Sequence, residues 1–418
     1  MFTSFSTALS ALNACSTAID VVGNNLANMN STGFKASEMS FSDLVTQSLG
    51  AGLGTTQVGF GTATPITLRN FAQGAIQTTG GVLDGAISGQ GFYVVQDPTT
   101  GNTEYSRAGN FQTDASGNLM TANGDYVQGW NSDSSGNINT NAPVSNIVIP
   151  VGALEKPIAT TVMSDNLNLN SAANPDATST FSTPLTIFDS LGTSHVLTLS
   201  FVKTAPNSWT YTATLPGADL SDPTTAQVAT GNLAFNTDGS LDLVNTTSPV
   251  VFTLPQFVDG ATVGGTVTWS LTESNGSGAL TQYDQPSASS SASQDGQAAS
   301  GLVNVGLGDG GSILAQYTDG QQVKVGQVAL ASIRNPDSLV AVGSNNFMLS
   351  QASAAPNIGL PGTGGRGTIQ GGSIEASNVD IATEFTNLIV YQRGYEANGK
   401  VVSTANTLSQ DTINLIQG

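Results

Sequence analysis

The sequence predicts a mainly β protein closed at each end by an α-helix. Three observations carry that reading. Apolar residues recur at alternating four- and three-residue spacing near both termini. Period-2 alternation fills the centre. Gly, Asn, Ser and Pro clusters punctuate the strands.

At the N-terminus, Phe5, Leu9, Leu12, Ile19 and Leu26 mark the seam, with Ser16 and Gly23 at its weak positions. This is a heptad stripe, narrower than the apolar face of an ordinary surface helix. It dissolves into the turn-rich run Asn28-Met29-Asn30-Ser31-Thr32-Gly33. At the C-terminus, Ser377 and Asp380 stand three apart, as in a capping box, before Ile381, Phe385, Leu388, Tyr395 and Val402. Leu408 and Leu415 continue the run nearly to Gly418, and no proline interrupts residues 376–418. A helix of ~38 residues would be ~57 Å long. One subunit cannot bury two such stripes except against each other. The two helices are therefore expected to pair as a coiled-coil-like layer, and the twelve seam residues named here are candidate subunit-interface residues.

Between the helices, Leu197, Leu199 and Phe201 share one face of a strand. Trp209, Tyr211, Ala213 and Leu215 repeat the device, as do Val267, Trp269 and Leu271. Asp189-Ser190-Leu191-Gly192 and Asn123-Gly124 read as hairpin turns. Sandwich or barrel-like β-domains follow. Composition shifts at 48–64, 131–143 and 285–301 suggest boundaries. They give a terminal helical domain (1–30 and 372–418), a linker region (31–75), a discontinuous inner β-domain (76–150 and 285–371) and an inserted outer β-domain (151–284).

The chain has 418 residues, with a net charge of −19. Charged residues make up 9% of it, against about 25% in an ordinary soluble domain. Its surface must therefore be solvated by Ser, Thr, Asn and Gln. Ten scattered basic residues offer no footprint for nucleic acid, and the acidic balance argues against an anionic membrane surface. No run of 18 apolar residues occurs, so no membrane insertion is expected. The N-terminus lacks the marks of a cleaved secretory signal.

Catalytic chemistry has little to work with. His195 is the only histidine and Cys15 the only cysteine, which leaves no nucleophile-base pair and no ordinary zinc site. Gly306 to Gly311 and Gly362 to Gly367 match a G-x-G-x-x-G pattern. Neither is followed by a helical pattern, so no dinucleotide cofactor is expected. Asp219 and Asp222 could in principle flank a sugar, but they sit in a Ser/Pro loop. A glycan-binding adhesin remains a second class of reading, which the paired terminal stripes do not favour. No catalytic, cofactor-binding or metal-binding residue is assigned.

Gly23-Asn24-Asn25-Leu26-Ala27-Asn28, followed by Ser31-Thr32-Gly33-Phe34-Lys35, resembles the N-terminal signature of the rod-hook family of flagellar axial proteins. Gly89-Gln90-Gly91-Phe92-Tyr93-Val94 and Tyr105-Ser106-Arg107-Ala108-Gly109-Asn110-Phe111 resemble its internal motifs. Gly124-Asp125-Tyr126-Val127-Gln128-Gly129-Trp130 extends the second. Ile374-Glu375-Ala376-Ser377-Asn378-Val379-Asp380 and Tyr391-Gln392-Arg393-Gly394-Tyr395 resemble its C-terminal signature. The likeness is strong over roughly 1–130 and 310–418 and weak over 150–284. Rod members resemble the two ends joined without a large insertion, so the central block points to the hook branch rather than to a distal rod or other axial protein. The resemblance implies a self-assembling structural subunit, not an enzyme. It implies a curved, flexible tube that links rod to filament and passes exported subunits along its channel. The implied partners are copies of itself, a distal rod protein, a hook cap protein, a hook-filament junction protein and the flagellar type III export apparatus. It implies an extracellular, flagellar location.

Overall fold

The computed structural model describes residues 2–44, 46–49, 56–133, 136–152, 154–176, 179–246, 249–261, 265–273 and 276–417. Part of the Gly/Thr-rich stretch 48–64 lies outside them. The chain is mostly β with one long helix at each end, α1 (Phe2–Ala27) and α2 (Ile381–Gln417), as the two periodicities predict. It divides into two compact units. One comprises 1–151, 303–316 and 322–418, and the other 152–302 with 317–321.

In the first unit, strands from distant parts of the chain alternate. Phe92–Gln96 pairs with Thr103–Ser106 (Val94 opposite Tyr105) and with Tyr126–Asn131 (Val95 opposite Val127). Tyr126–Asn131 pairs in turn with Gln322–Val328, with Gly129 opposite Val328. Asn346–Met348 pairs with Thr103–Ser106, with Phe347 opposite Tyr105. Apolar residues on these strands meet in a core of Phe92, Val94, Tyr105, Ala331, Ile333 and Phe347. Phe71, Phe92 and Phe347 lie edge to face with centroids 5.2–6.0 Å apart, the arrangement ring quadrupoles prefer. The Asn123-Gly124 turn forms as expected: Gly124 has φ +98°, and Thr121 N–H bonds the Asp125 carbonyl at 2.8 Å.

Helices α1 and α2 run antiparallel. The Asn25 side chain reaches Glu384 at one end of the contact, and Cys15 faces Gly394 further along. A Cβ at Gly394 would lie 3.2 Å from Cys15 Sγ, so glycine is what permits this close approach. The face that α1 buries is Ala8, Ala14, Ala18, Val22 and Asn25. At about 100° per residue, that face lies about 110° around the helix from the stripe of large apolar residues. The pair thus packs through small and polar groups. Phe5, Leu9, Ile381, Phe385, Tyr395, Leu408 and Leu415 stay exposed, and Leu12, Ile19, Leu26, Leu388 and Val402 are half-buried.

Asp380 caps α2, its carboxylate accepting from Thr383 N–H at 2.8 Å. This bond holds the Asp380 carboxyl below its usual range. Ser377 takes no part in the cap; its hydroxyl accepts from Val379 N–H at 3.3 Å, because the chain turns once more before the helix begins. By length and composition, the segment Ser4–Ala27 is long and apolar enough to cross a membrane, although no run of 18 apolar residues occurs in it.

The second unit contains two sheets. Thr180–Phe188, Ser194–Ala205, Ser208–Thr214 and Gln227–Ala234 form an antiparallel meander. The other sheet is built on Val162–Asn168, flanked by Thr266–Ser270 and Ala288–Gln294. Leu197, Leu199, Phe201, Trp209, Tyr211, Val267 and Trp269 are buried in one cluster, as their alternation predicts. Ala288–Gln294, a Ser/Ala-rich strand that composition assigned beyond the inserted block, pairs with Val162–Asn168 inside it. Ladder hydrogen bonds, which are indifferent to side-chain composition, place it there.

Candidate functional site

Four sequence segments converge on one buried carboxylate in the first unit. Glu375, on the short strand Ser373–Glu375, pairs with Ile76 across the ladder. Its Oε1 accepts from Lys35 Nζ at 2.6 Å and from Gly74 N–H at 2.8 Å; its Oε2 accepts from Arg107 at 3.1 Å. The Lys35 and Glu375 side chains are both fully buried. Lys35 also donates to the Ala72 carbonyl, Arg107 donates to the Gly89 carbonyl, and the guanidinium lies 5.3 Å over the Phe92 ring. Burial pulls the Lys35 ammonium below its usual value, and the neighbouring Glu375 opposes that pull. Such charges are tolerated inside a protein only when paired and hydrogen-bonded.

The backbone around the cluster is equally constrained. Gly33 N–H bonds the Glu375 carbonyl at 2.8 Å, and Gly33 adopts φ +69°. A Cβ there would lie 2.5 Å from Ala108 N, so no other residue fits without displacing the Arg107 segment. Asn378 accepts from Ala36 N–H at 2.7 Å and donates to the Asn70 carbonyl at 2.8 Å. The segments around Gly33-Phe34-Lys35, Gly89-Gln90-Gly91, Tyr105-Ser106-Arg107 and Ile374-Glu375 are thus one construction. It ties the chain leaving α1 and the chain entering α2 to the β-core. Charged residues inside motifs of a charge-poor chain were the available sequence signal, but the pairing partner of each was not readable.

Above this cluster, Asn25 of α1 bridges Glu384 of α2 (2.9 Å) and the Ser37 carbonyl (2.8 Å). Burial raises the Glu384 carboxyl above its usual range, Asn25 works against this, and Glu38 and Asp380 add to it. The twelve seam residues named from the sequence lie on both helices; Phe5, Leu9, Ile381, Phe385, Tyr395, Leu408 and Leu415 are exposed, whereas Leu12, Ile19, Leu26, Leu388 and Val402 are half-buried. The exposed ones leave an apolar surface on a pair of helices that are already joined to each other.

In the second unit, the lone histidine is built into a network. His195 Nδ1 lies 3.0 Å from Asp219 and its Nε2 lies 3.2 Å from Asp189, with the ring stacked on Phe257 at 3.9 Å. Asp189 also accepts from Leu191 and Thr193 N–H, which closes the predicted hairpin turn. Asp189, His195 and Asp259 bring potential metal-ligand atoms within 4.8 Å of one another, a grouping that one histidine and one cysteine gave no reason to expect. Asp222 caps a 3₁₀ turn by accepting from Thr224 N–H, a structural use of that carboxylate. Both glycine patterns run into strands, Ser312–Tyr317 and Thr368–Gly371, so neither presents a helix N-terminus to a pyrophosphate.

Four family models match: the flagella basal body rod protein (5–35), the flagellar hook protein FlgE/F/G D1 domain (86–161), the flagellar basal body protein FlaE D2 domain (159–297) and the flagellar basal body rod FlgEFG protein C-terminal (370–415). The chain is 32% identical to the flagellar hook protein FlgE of Escherichia coli strain K12, over 98% of this chain and 99% of that one. It is 32% identical to FlgE of Salmonella typhimurium strain LT2, over 99% and 100%. FlgE of Borreliella burgdorferi is also 32% identical, over 99% and 100%. Among solved structures, the flagellar hook protein FlgE2 of Helicobacter pylori shares the fold at a TM-score of 0.52. That likeness covers 70% of this chain and 99% of that one, with 14% identity. Full-length identity, the four domain matches and a fold with paired terminal helices agree: the chain belongs to the flagellar hook protein family and is a structural subunit of the bacterial flagellar hook.

Proposed function

We propose that this subunit polymerises through the apolar faces of α1 and α2 into a curved, flexible tube. The tube transmits torque from rod to filament and passes exported subunits along its channel. The observation that carries this reading is the set of large apolar side chains left exposed on two helices that are already joined to each other. The small-residue face of α1 is buried within the subunit, while Phe5, Leu9, Phe385 and Leu408 are left in water. A polymer supplies the burial that a single copy does not, and head-to-tail contacts that do not close give a helical assembly. The remaining seam residues, Leu12, Ile19, Leu26, Ile381, Leu388, Tyr395, Val402 and Leu415, belong to the same interface.

In this reading, α1 and α2 form the assembly domain (1–30 and 372–418), and residues 31–75 link it to an inner β-domain. The inserted block is an outer domain, and the pairing of Ala288–Gln294 supports extending it from 151–284 to about residue 302. The Ser/Thr-rich faces of its strands would exchange hydrogen bonds with water at small net cost, which suits sliding contacts in a bending tube. The remaining partners are a distal rod protein below, a cap protein during growth, a hook-filament junction protein above and the type III export apparatus. Export through that apparatus needs no cleaved signal peptide. The subunit does no catalysis in this role.

The test is assembly of purified subunits carrying Leu9→Ser or Phe385→Ser, with Gln410→Ala as an exposed control. Burying a Leu or Phe side chain contributes about 1.5–3 kcal/mol. The first two should raise the concentration needed for assembly at least about tenfold and leave monomer melting unchanged. Wild-type assembly by both would overturn the reading.

A further inference from the structure

At the base of the helix pair lies a cavity of about 360 Å³, lined by Val21, Val22, Glu38, Glu384, Asn387 and Tyr391 among others. Its chemistry is acidic and incomplete. Glu384 is 7% exposed; its Oε1 accepts from Asn25, while its Oε2 is buried with no hydrogen-bond partner. Glu38, exposed at the wall, bonds Asn70 through one oxygen. A buried carboxylate oxygen without a donor is unfavourable until one arrives.

The two helices carry only two cations, Arg393 and Lys400, both exposed on α2. Among the described residues neither side chain has an ion-pair or hydrogen-bond partner. At about 100° per residue, Arg393 lies about 180° around the helix from Glu384, and Lys400 about 160°. Arg393 is also about 13 Å further along the axis. Neither can fold back into the cavity of its own chain.

We propose that the cavity is a socket for the Arg393 guanidinium of a second copy of this chain. A planar fork can donate to Glu384 Oε2 and to Glu38 together, with the Tyr391 ring beside it; an ammonium is a single point charge. An acidic socket on one face of α2 and its cation on the opposite face make a heterologous contact. Such a contact repeats from copy to copy without closing and fixes the register of the apolar faces. Burial and the nearby Glu38 and Asp380 carboxylates, which raise the Glu384 carboxyl, agree with a site that awaits a cation. The inference rests on the assembly reading above.

The experiment is a double-mutant cycle on full-length subunits, reading the assembly concentration of Arg393→Gln, Glu384→Gln and the double variant, with monomer melting alongside. Each single change should raise that concentration about tenfold, and the double variant should be no worse than either single one. Lys400→Gln should assemble like wild type. Arg393→Gln assembling like wild type overturns the proposal, and so do effects that multiply in the double variant. A coupling of Glu384 to Lys400 instead overturns the assignment to Arg393. Phe385→Ser separates the two claims. If it blocks assembly while Arg393→Gln does not, the apolar interface stands and the socket falls; if both assemble normally, the assembly reading itself falls.

Discussion

The Asn25 amide donates to the Glu384 carboxylate at 2.9 Å, joining residues 359 positions apart and fastening the first helix to the last. The same amide donates to the Ser37 carbonyl, and the Asn25 side-chain oxygen accepts from Ser37 N–H. One polar side chain thus sets how α1, the following strand and α2 meet.

The Glu384 carboxyl gives that junction a pH dependence. Burial raises it above the ordinary value of 4.5, so the folded pair favours the protonated form. Its contribution to stability is fully present below about that value and is lost as pH rises through the raised one. Asp380 has the opposite sign, because its cap is lost on acidification. The difference between wild type and Glu384→Gln therefore isolates Glu384. In monomer, the helical signal of wild type should gain melting temperature relative to Glu384→Gln between neutral pH and pH ~4. A constant difference across that range would refute this.

Removing the Glu375 carboxylate leaves Lys35 and Arg107 buried without a counter-charge. Breaking a buried pair in this way costs about 3–5 kcal/mol. Glu375→Ala should lower the melting of the first unit steeply and leave residues 152–302 unaffected. Calorimetry that resolves the two units checks this. Glu375→Gln, which keeps acceptor capacity on one atom, should fall between.

Gly394 sets the spacing of the helix pair. A valine there would place branched carbons against Cys15 Sγ, which already lies 3.2 Å from the position of a Cβ. Burial raises the Cys15 thiol above its usual value, which slows its reaction with thiol reagents. Gly394→Val should separate the helices and speed modification of Cys15 by about tenfold, the thiolate being the reactive form. An unchanged rate would show that the helices meet elsewhere.

The His195 ring lies between two carboxylates, Asp219 at Nδ1 and Asp189 at Nε2, with Asp259 beside it. His195→Ala would leave Asp189, Asp219 and Asp259 facing one another and remove the stack on Phe257. The stability of the second unit should fall by about 1–3 kcal/mol, the range for leaving buried polar groups unsatisfied, seen as a lower melting temperature. Melting of the first unit should stay as in wild type.

What the sequence determined by itself is what depends on local repetition. The apolar stripes of Phe5–Leu26 and Ile381–Val402 specify helices, because a 3.6-residue turn converts spacing into a face. The alternation at Leu197, Leu199 and Phe201 specifies a strand and its buried side, because the pleat has period two. Asp189–Gly192 and Asn123-Gly124 specify turns locally, through glycines at positive φ and, in the first, the Asp189 carboxylate accepting from Leu191 and Thr193 N–H. Tertiary structure decided which surfaces meet. The large apolar residues of α1 and α2 mark a stripe, yet α1 buries Ala8, Ala14, Ala18, Val22 and Asn25, and it meets α2 through the Asn25–Glu384 hydrogen bond and the close approach of Cys15 to Gly394, which a small residue permits. Lys35, Arg107 and Glu375 each sit in a short motif, but their convergence follows from pairing strands hundreds of residues apart. Ala288–Gln294 joined the second unit for the same reason: ladder partners are chosen by the folded backbone, and composition carries no record of them.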